Sequence, residues 1–514
     1  MKKKSLLLLS LVFLLPSCTR RGGGASHVEA LPSPTITEAS DDRVRVIGTP
    51  FVDPFNTSMS ANLYYTDNQY DEETRKEIGS FYYDSIEEYH AYSDNHYDYS
   101  FKGEDGTYSQ IVNLKTINES YGTGKAIQVS DYLYDLLTYA YQFTLNSEGK
   151  FNIFLGQLTS LYEDKLASAK GMESPTKTTL DCILQDTTNL LFDDFSESEK
   201  KEISSIVSSL PTTTDELKGL LTFDDTNKSV TFNAFYKNDV KVDGLKISLG
   251  GVAKGYATER VSDEMEKKYP GIALLLNSGT SSIKTIGTRP DDKGWNIRYN
   301  NPSYYEYQEY LGNPYNASEV VINYTGGFNI STSGYYENCF FSLGDDKKSI
   351  LRRNHILNPT TGYSEYYFDQ VSVFLDNTGL ADMYTTCLMN CTSVEEAKEV
   401  FDNLNNIYHE KDAQLILCYK SKKNDPSSFY SYSLDQMSDL NESGYPSVKL
   451  SSGSIYQGDY SDFNLSLSYT VVSKMNYDYQ ENYYITSGLY SHASLLKDSS
   501  QVTKPVISVL QELK

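Results

Sequence analysis

Two periodicities of apolar and polar residues divide the first part of the chain into strands and helices. Apolar residues alternate with polar ones from Phe55 to Tyr65, which predicts a strand with one buried face. From Glu72 to His90 the apolar residues recur at helical spacing among charges, which predicts an amphipathic helix. A second helix follows, and either Ser130 or Asp131 can act as its N-cap. The apolar face of this helix comprises Leu133, Leu136, Leu137 and Ala140.

Further along the chain, short strands and longer helices follow one another without regular alternation. A strand predicted at 246–249 leads through two glycines into a helix over 252–268, and the apolar run at 272–276 is typical of a buried strand. Another strand is predicted at 371–376, and a helix begins near Leu380. This mixture favours the α+β class, with mixed sheets packed against helices, over a doubly wound parallel sheet.

Changes in composition divide the chain into four parts. Residues 1–17 have the basic start and the short apolar stretch of an export signal rather than of a membrane span. Residues 18–42 contain many Gly, Pro, Ser and Thr residues, which predicts a flexible tether. The folded body is expected over 43–405, with a helical insertion at about 165–220, and a C-terminal extension follows at 406–514.

The signal segment ends in a pattern typical of bacterial lipoproteins. Cys18 stands directly after Leu15-Pro16-Ser17. In this interpretation Cys18 is lipidated, becomes the mature N-terminus and tethers the body to the extracytoplasmic face of a bacterial membrane. The alternative is ordinary secretion.

Charge and cysteine content exclude several classes of protein. The net charge is −24 and the pI is about 4.7, which argues against binding to nucleic acid or to anionic lipid. A polyanionic ligand must therefore be held by local groups such as backbone amides or a divalent cation. Besides Cys18 there are five cysteines, an odd number without the spacing of a disulfide framework or a zinc site.

The string LGGVAKG at 249–255 is the first candidate site. Its two glycines let a phosphate approach the backbone, the following helix N-terminus favours negative charge, and Lys254 adds a positive charge. The alternative is a tight turn between a strand and a helix, with a lysine at the surface.

Two further strings carry groups that can take part in chemistry. Asp382 and Thr386 are four residues apart on a predicted helix, so their oxygens share one face, and such oxygens suit Mg²⁺. The alternative for Asp382 is a helix cap. His355, beside a turn, can act as a general base or can simply bind a backbone carbonyl.

Taken together, these strings resemble the ApbE family of FAD:protein FMN transferases, which are exported bacterial enzymes and frequently lipoproteins. The resemblance runs from about Pro54 to Leu404. The further residues and strings that match the family are Thr57, GKFNIFLGQL at 149–158, Asn277-Ser278-Gly279, Thr332-Ser333-Gly334-Tyr335-Tyr336, His355 to Gly362 and Ala381 to Thr386.

The resemblance implies a metal site and a flavin site. Mg²⁺ would be held by the Gly251 carbonyl and by the side chains of Asp382 and Thr386, with Thr385 beside them. The residues implied for FAD are Phe55, Tyr92, Lys150, Phe151, Asn152, Ser248, Lys254 and Ile356.

The chain departs from the family at a few positions. The family favours Asp where this chain has Asn152, and it often has Asp where this chain has Ser248, Tyr335 and Asn358. A second Gly is usual where this chain has Thr280. The missing carboxylates would alter how the flavin or ribose is held, whereas the implied metal ligands are all present.

The family's reaction is the Mg²⁺-dependent transfer of FMN from FAD to a Thr or Ser hydroxyl of an exported protein, with release of AMP. The hydroxyl attacks the FMN phosphorus, and the metal and Lys254 hold the charge of the leaving AMP. His355 and Asp382 are the catalytic candidates.

The family's acceptor residue lies in an Asp-Gly-x-Ser/Thr-Gly-Ala-Thr-like motif, which this chain lacks, so the acceptor is expected to be another protein. Two alternatives remain open. One is an FAD pyrophosphatase that gives free FMN and AMP, and the other is a non-catalytic lipoprotein that binds flavin or another solute.

Overall fold

The computed structural model of the protein describes residues 37–41, 44–52, 54–103, 106–147, 149–169, 191–192, 194–279, 281–300, 302, 318–324, 329–346, 349–423, 425–431, 448–450, 455–456, 469–471, 479–495 and 507–513. The predicted signal segment, Cys18 and Thr280 lie outside these residues. So do most of the predicted tether and the central part of the predicted insertion.

The described helices are α1 (Glu72–Ser93), α2 (Leu114–Glu119), α3 (Asp131–Asn146), α4 (Gly156–Ala169), α5 (Glu197–Ser209), α6 (Thr214–Leu217), α7 (Ala253–Lys268), α8 (Thr378–Met389), α9 (Val394–Tyr408) and α10 (Ser487–Tyr490). Short 3-10 turns lie at Pro54–Asn56 and Tyr335–Glu337.

The described strands are β1 (Thr37–Asp41), β2 (Val44–Val52), β3 (Ser58–Tyr65), β4 (Ser100–Lys102), β5 (Tyr108–Gln110), β6 (Ala126–Gln128), β7 (Leu191–Phe192), β8 (Leu221–Asp224), β9 (Ser229–Phe232), β10 (Tyr236–Lys237), β11 (Val240–Lys241), β12 (Ala273–Ser278), β13 (Ser282–Ile286), β14 (Trp295–Asn300), β15 (Ser318–Tyr324), β16 (Asn329–Gly334), β17 (Cys339–Leu343), β18 (Ile350–Asn354), β19 (Gln370–Phe374), β20 (Gln414–Lys422), β21 (Asp425–Phe429), β22 (Val448–Leu450), β23 (Ile455–Tyr456), β24 (Tyr469–Val471), β25 (Tyr479–Thr486), β26 (Ala493–Leu495) and β27 (Ile507–Leu513).

One large sheet organises the described part of the fold. Its strands follow the order β1-β2-β3-β12-β13-β16-β19-β20-β25-β27, and β21 pairs with β20. Neighbouring strands in this order are antiparallel, except that β25 and β27 are parallel. The α+β class predicted from the sequence is confirmed, since helices pack on a sheet that is mainly antiparallel.

The sheet separates two apolar cores, because successive side chains of a strand point to opposite faces. In β20, Leu415 and Leu417 belong to the larger core, which contains the helices. Ile416 and Cys418 belong to the smaller core, which lies against the sheet β14-β15-β26. Both faces of this strand are therefore buried, which explains why its sequence is apolar without alternation.

Helices α7 and α8 lie side by side on the larger-core face. Helix α7 packs against β12 and β13, and α8 packs against β16 and β19. Ala257, Val261 and Met265, which are spaced four residues apart along α7, are all buried. This arrangement brings the string at 249–255 next to the helix that carries Asp382.

Most of the predicted elements are present with shifted ends. Ser130 is the N-cap of α3, and its side chain accepts a hydrogen bond from the Leu133 amide. The prediction of a strand at 246–249 was wrong, because this segment forms only an isolated bridge, between Lys246 and Leu155.

Strands of the large sheet lie outside the predicted body. Thr37–Asp41, within the segment predicted as tether, is β1. In the predicted C-terminal extension, β20, β25 and β27 continue the same sheet. The predicted insertion contributes α5 and α6 as well as the short strand β7, which pairs with β17.

Candidate active site

The turn before α7 brings Gly251 against two other segments. A Cβ atom at Gly251 would lie 3.1 Å from the Phe151 ring and 3.2 Å from the Thr386 hydroxyl. Since such distances leave little space for a side chain, glycine lets these three segments meet here. The structure thus places Gly251 and Thr386, implied as metal ligands, beside Phe151, which is implied to contact FAD.

The N-terminus of α7 follows directly from this turn. Its N-cap is Val252, which makes no side-chain capping hydrogen bond. Lys254 lies in the first turn, and its charge acts on Asp382. A helix N-terminus beside a lysine favours negative charge, and the Gly255 amide of this first turn donates to the Asp382 carboxylate.

Asp382 is buried and is held by three hydrogen-bond donors. The Gly255 amide donates to Oδ2 over 2.8 Å, and the Ser282 hydroxyl donates to Oδ1 over 3.0 Å. The Ser331 hydroxyl also donates to Oδ1. Burial raises the pKa of the Asp382 carboxyl, and the opposing effects of Lys254 and of the three donors offset this rise only in part.

Helices α7 and α8 meet at Gly255 and Thr378. A Cβ atom at Gly255 would lie 2.4 Å from the Thr378 carbonyl oxygen, so only glycine allows this approach. The Thr378 hydroxyl donates to the Gly255 carbonyl over 3.0 Å. Glu259 Oε2 accepts from the Thr378 amide over 2.8 Å, while Lys284 donates to Glu259 Oε1 over 2.5 Å.

The predicted metal ligands have a suitable set of donor atoms. The Thr386 hydroxyl lies 3.5 Å from the Gly251 carbonyl oxygen, and Asp382 lies one turn earlier on α8. Carboxylate, hydroxyl and carbonyl oxygens are the ligands that Mg²⁺ prefers, and the burial of Asp382 favours compensation by a cation. Among the described residues, no group of three or more His, Cys, Asp or Glu side chains comes together around a metal position. These residues therefore fit a site with a single carboxylate.

Lys150 precedes Phe151, which contacts Gly251, and Ile356 precedes Leu357, whose carbonyl accepts from Asn390 at the C-cap of α8. Lys150 forms an ion pair with Glu396 of α9. Burial by itself would lower the pKa of Lys150, but Glu396 outweighs it and raises the value. Ile356 is buried, and its amide donates to Asn354 Oδ1 over 2.8 Å.

His355 is exposed, in contrast to its neighbours. Its Nδ1 atom lies 3.4 Å from the Asn338 carbonyl oxygen, and its amide donates to the same oxygen over 3.2 Å. Because a carbonyl only accepts hydrogen bonds, this contact favours the tautomer with the proton on Nδ1. Nε2 is then the nitrogen that can accept a proton.

Comparisons with known proteins identify the family of this chain. The family model described as "ApbE family" matches residues 104–408, more than half of the chain. The chain belongs to the ApbE family. A FAD:protein FMN transferase of Klebsiella pneumoniae (strain 342) is 27% identical over 181 residues, which are 34% of this chain and 48% of that protein. The match thus spans about half the length of this relative.

Solved structures of ApbE proteins are also similar to this chain. The ApbE protein from Thermotoga maritima MSB8 gives a TM-score of 0.47 at 19% identity, with coverage of 72% of this chain and 94% of that one. The flavin transferase ApbE from Vibrio cholerae gives a TM-score of 0.47 at 16% identity, with coverage of 76% and 97%. Within the part of this ApbE protein that the structure describes, no helix is both long and apolar enough to cross a membrane.

At four positions where the family favours or often has Asp, the structure shows what the residue of this ApbE protein does instead. Asn152 is buried, and its side chain bonds to two backbone groups. It donates to the Pro211 carbonyl over 2.8 Å and accepts from the Phe154 amide over 2.9 Å. Asn358 accepts from the Thr360 amide and donates to Glu365, both over 2.8 Å. The Asn152 amide thus joins its loop to the distant Pro211, whereas the Asn358 amide stabilises its own loop.

The third of these positions is Tyr335, which is buried beneath a cation. The Arg352 guanidinium lies 3.8 Å from the centre of the Tyr335 ring. Ser248 is half-buried beside the turn, and its amide donates to the Ile153 carbonyl over 2.8 Å.

Phe55 and Tyr92, implied to contact FAD, lie in an aromatic group at α1. The Phe55 amide donates to His90 Nδ1 over 3.1 Å, and the two rings pack edge to face at 5.2 Å. Tyr92 packs near Tyr132 of α3, at 6.3 Å between ring centres. Tyr132 in turn lies 5.6 Å from Tyr256 of α7, so this group extends to the helix that follows Gly251.

Sequence reasoning missed four residues that shape the site. Ser282 and Ser331 bind Asp382, and Glu259 joins α7 to α8. Asn390, at the C-cap of α8, donates through Nδ2 to the carbonyls of Lys150 and Leu357, each over 3.1 Å. A signal was available only for Ser331, which directly precedes a string shared with the family.

Proposed function

We propose that this protein transfers FMN from FAD to a Thr or Ser hydroxyl of another exported protein and releases AMP. The observation that carries the proposal is the contact of α8 with the start of α7, in a chain of the ApbE family. Thr386 contacts Gly251, and Asp382, one turn earlier on α8, accepts from the Gly255 amide. The FAD:protein FMN transferase of Klebsiella pneumoniae supports the same activity.

In this proposal Gly251, Asp382 and Thr386 would hold Mg²⁺, which neutralises pyrophosphate charge when it is bound. Lys254 and the positive end of the α7 helix dipole would attract the phosphates of FAD. The acceptor hydroxyl forms a new bond to the FMN phosphorus as the bond to the AMP oxygen breaks. His355 Nε2 takes the proton of the hydroxyl, and Lys254 stabilises the charge on the departing AMP.

The test uses the mature chain, FAD, Mg²⁺ and an acceptor domain with the Ser/Thr-Gly-Ala-Thr-like motif. We expect fluorescence bound covalently to the acceptor and one AMP for each label. An acceptor whose motif Thr or Ser is replaced by Ala is the matched control. In the Asp382→Asn variant, labelling should fall by about 100-fold or more, because charge stabilisation is a large part of phosphoryl-transfer catalysis.

Other outcomes would point to the alternatives. Release of AMP without labelling of any acceptor would identify an FAD pyrophosphatase. Binding of FAD by a folded protein without release of AMP would identify a flavin-binding protein. Either result would refute the transferase proposal.

We also propose that the chain is anchored by lipid on Cys18 at the extracytoplasmic face of a bacterial membrane, close to its acceptor. The support is the signal pattern that ends at Cys18. In a Cys18→Ser variant, the protein should move from the membrane fraction to the soluble fraction. An unchanged distribution would favour a different mode of attachment.

A further inference from the structure

Two buried serines face each other on adjacent strands beneath Asp382. Ser282 of β13 and Ser331 of β16 are direct partners across this antiparallel pair, so their side chains lie on the same face of the sheet. Both are fully buried, and α8 covers them. A strand interior normally holds apolar residues, so two hydroxyls at this point need a polar partner.

Both hydroxyls reach the same oxygen of Asp382. Ser282 lies 3.0 Å from Oδ1, and Ser331 also donates to Oδ1. The two hydroxyl oxygens are 3.2 Å apart, so either serine could instead donate to the other. A carboxylate is the stronger acceptor, because hydrogen bonds to a charged group are about twice as strong as those between neutral groups. Each serine hydroxyl therefore donates its single hydrogen bond to Oδ1.

The two oxygens of Asp382 thus differ in what they can still accept. A carboxylate oxygen has two lone-pair positions, and the two serines occupy both positions on Oδ1. Oδ2 accepts one hydrogen bond, from the Gly255 amide over 2.8 Å, and keeps one position. A cation can therefore bind Asp382 through Oδ2 alone.

We infer that Ser282 and Ser331 are specificity-determining residues that make Asp382 a one-oxygen ligand and so favour Mg²⁺ over Ca²⁺. Mg²⁺ requires near-octahedral geometry and takes single carboxylate oxygens, whereas Ca²⁺ accepts six to eight oxygens and often takes both oxygens of one carboxylate. This inference rests on the metal site of the proposed function. It adds which cation the site selects and by which residues.

The test measures cation binding directly, without turnover. Mg²⁺ and Ca²⁺ are titrated separately into the full mature chain by calorimetry, with Asp382→Asn as the reference that lacks the site. We expect the wild type to bind Mg²⁺ more tightly than Ca²⁺. In the Ser282→Ala/Ser331→Ala double variant, this preference should fall by about tenfold, the lower end of the effect of residues that orient metal ligands.

Ser372→Ala is the matched control. Ser372 is equally buried, on the neighbouring strand β19, but its hydroxyl contacts Thr332 and Tyr299 at 2.5 and 2.9 Å. Its removal should leave the preference unchanged. The Ser331→Thr variant keeps a hydroxyl and should therefore keep most of the preference for Mg²⁺ over Ca²⁺. It also tests the inference if the alanine variants do not fold.

The possible failures are distinguishable. If the wild type prefers Mg²⁺ and the folded double variant keeps that preference, the inference is wrong while the metal site stands. If the wild type binds Ca²⁺ as tightly as Mg²⁺, the inference is also wrong. If it binds neither cation, the proposed metal site fails together with the inference.

Discussion

At the scale of single residues, hydrogen-bond partners separate the groups that can act on a ligand from those that stabilise a loop. Asp382 is buried with a raised pKa, and its Oδ2 accepts one hydrogen bond whereas Oδ1 accepts two. The amide of Asn152 bonds to the Pro211 carbonyl and the Phe154 amide, and that of Asn358 bonds within its own loop. His355 is exposed. The sequence placed all four near a site, but their contacts give them different roles.

At this scale we predict that His355→Ala slows flavin transfer without weakening FAD binding. General-base catalysis contributes about 10²- to 10⁴-fold, so kcat should fall by at least about 100-fold. AMP release measures kcat, and quenching of flavin fluorescence measures binding. His409→Asn is the control, because His409 is an exposed residue at the C-cap of α9 with φ of 62°, a conformation that Asn tolerates. Unchanged turnover in His355→Ala would exclude this histidine as the base.

At the scale of elements, the site depends on the junction of α7 and α8. Gly255 allows the two helices to touch, and Glu259 binds the first amide of α8. The same carboxylate pairs with Lys284 of β13, the strand that also carries Ser282. One side chain therefore ties two helices and a strand together around Asp382.

We predict that Glu259→Ala destabilises the protein and weakens Mg²⁺ binding together. Glu259 and Lys284 are only 13% and 11% exposed, and removing one partner of a buried pair costs about 3–5 kcal/mol. The lower end applies here, because neither side chain is fully buried. The urea midpoint and calorimetric Mg²⁺ binding are the measurements. Glu266→Ala, at an exposed position of the same helix, should change neither. Loss of stability with normal Mg²⁺ affinity would contradict the positioning role.

At the scale of the whole molecule, a buried ionic network joins β20 of the large sheet to β18 of the small sheet β18-β17-β7. Asp369 accepts from Arg352 of β18 and, over 2.8 Å, from Lys420 of β20. All three side chains are 2% exposed. Burial by itself would raise the pKa of Asp369, but the charges of Lys420 and Arg352 outweigh it and hold the pKa below its usual range.

This network predicts how stability depends on pH. A carboxyl with a lowered folded-state pKa contributes stability that is fully present above its unfolded pKa of about 3.9. That contribution is lost as the pH falls from there through the folded-state pKa. In Asp369→Asn, the free energy of unfolding at pH 7 should fall by about 3–5 kcal/mol, because two buried cations lose their partner.

Urea unfolding of both proteins at pH 7 and near pH 3 checks this prediction. The difference between wild type and variant should be large at pH 7 and smaller in acid. A difference that does not change with pH would contradict the assigned role of the Asp369 charge.

The sequence by itself determined the elements with a clear period and the residues whose chemistry is local. The helix over 252–268, the cap at Ser130 and the strings that resemble the ApbE family could be found because each depends on neighbours within a few residues. The same strings indicated that Gly251, Asp382 and Thr386 belong together.

Only the tertiary structure decided which distant groups complete the site. Ser282 and Ser331 lie 100 and 51 residues from Asp382 along the chain, and their role appears only when two strands pair beneath α8. The positions of the strands at 414–422 and 479–486 in the large sheet likewise depend on pairing with strands that are distant in sequence. Strand pairing and the burial of charge depend on residues that are far apart along the chain, so they cannot be predicted from a short segment of sequence.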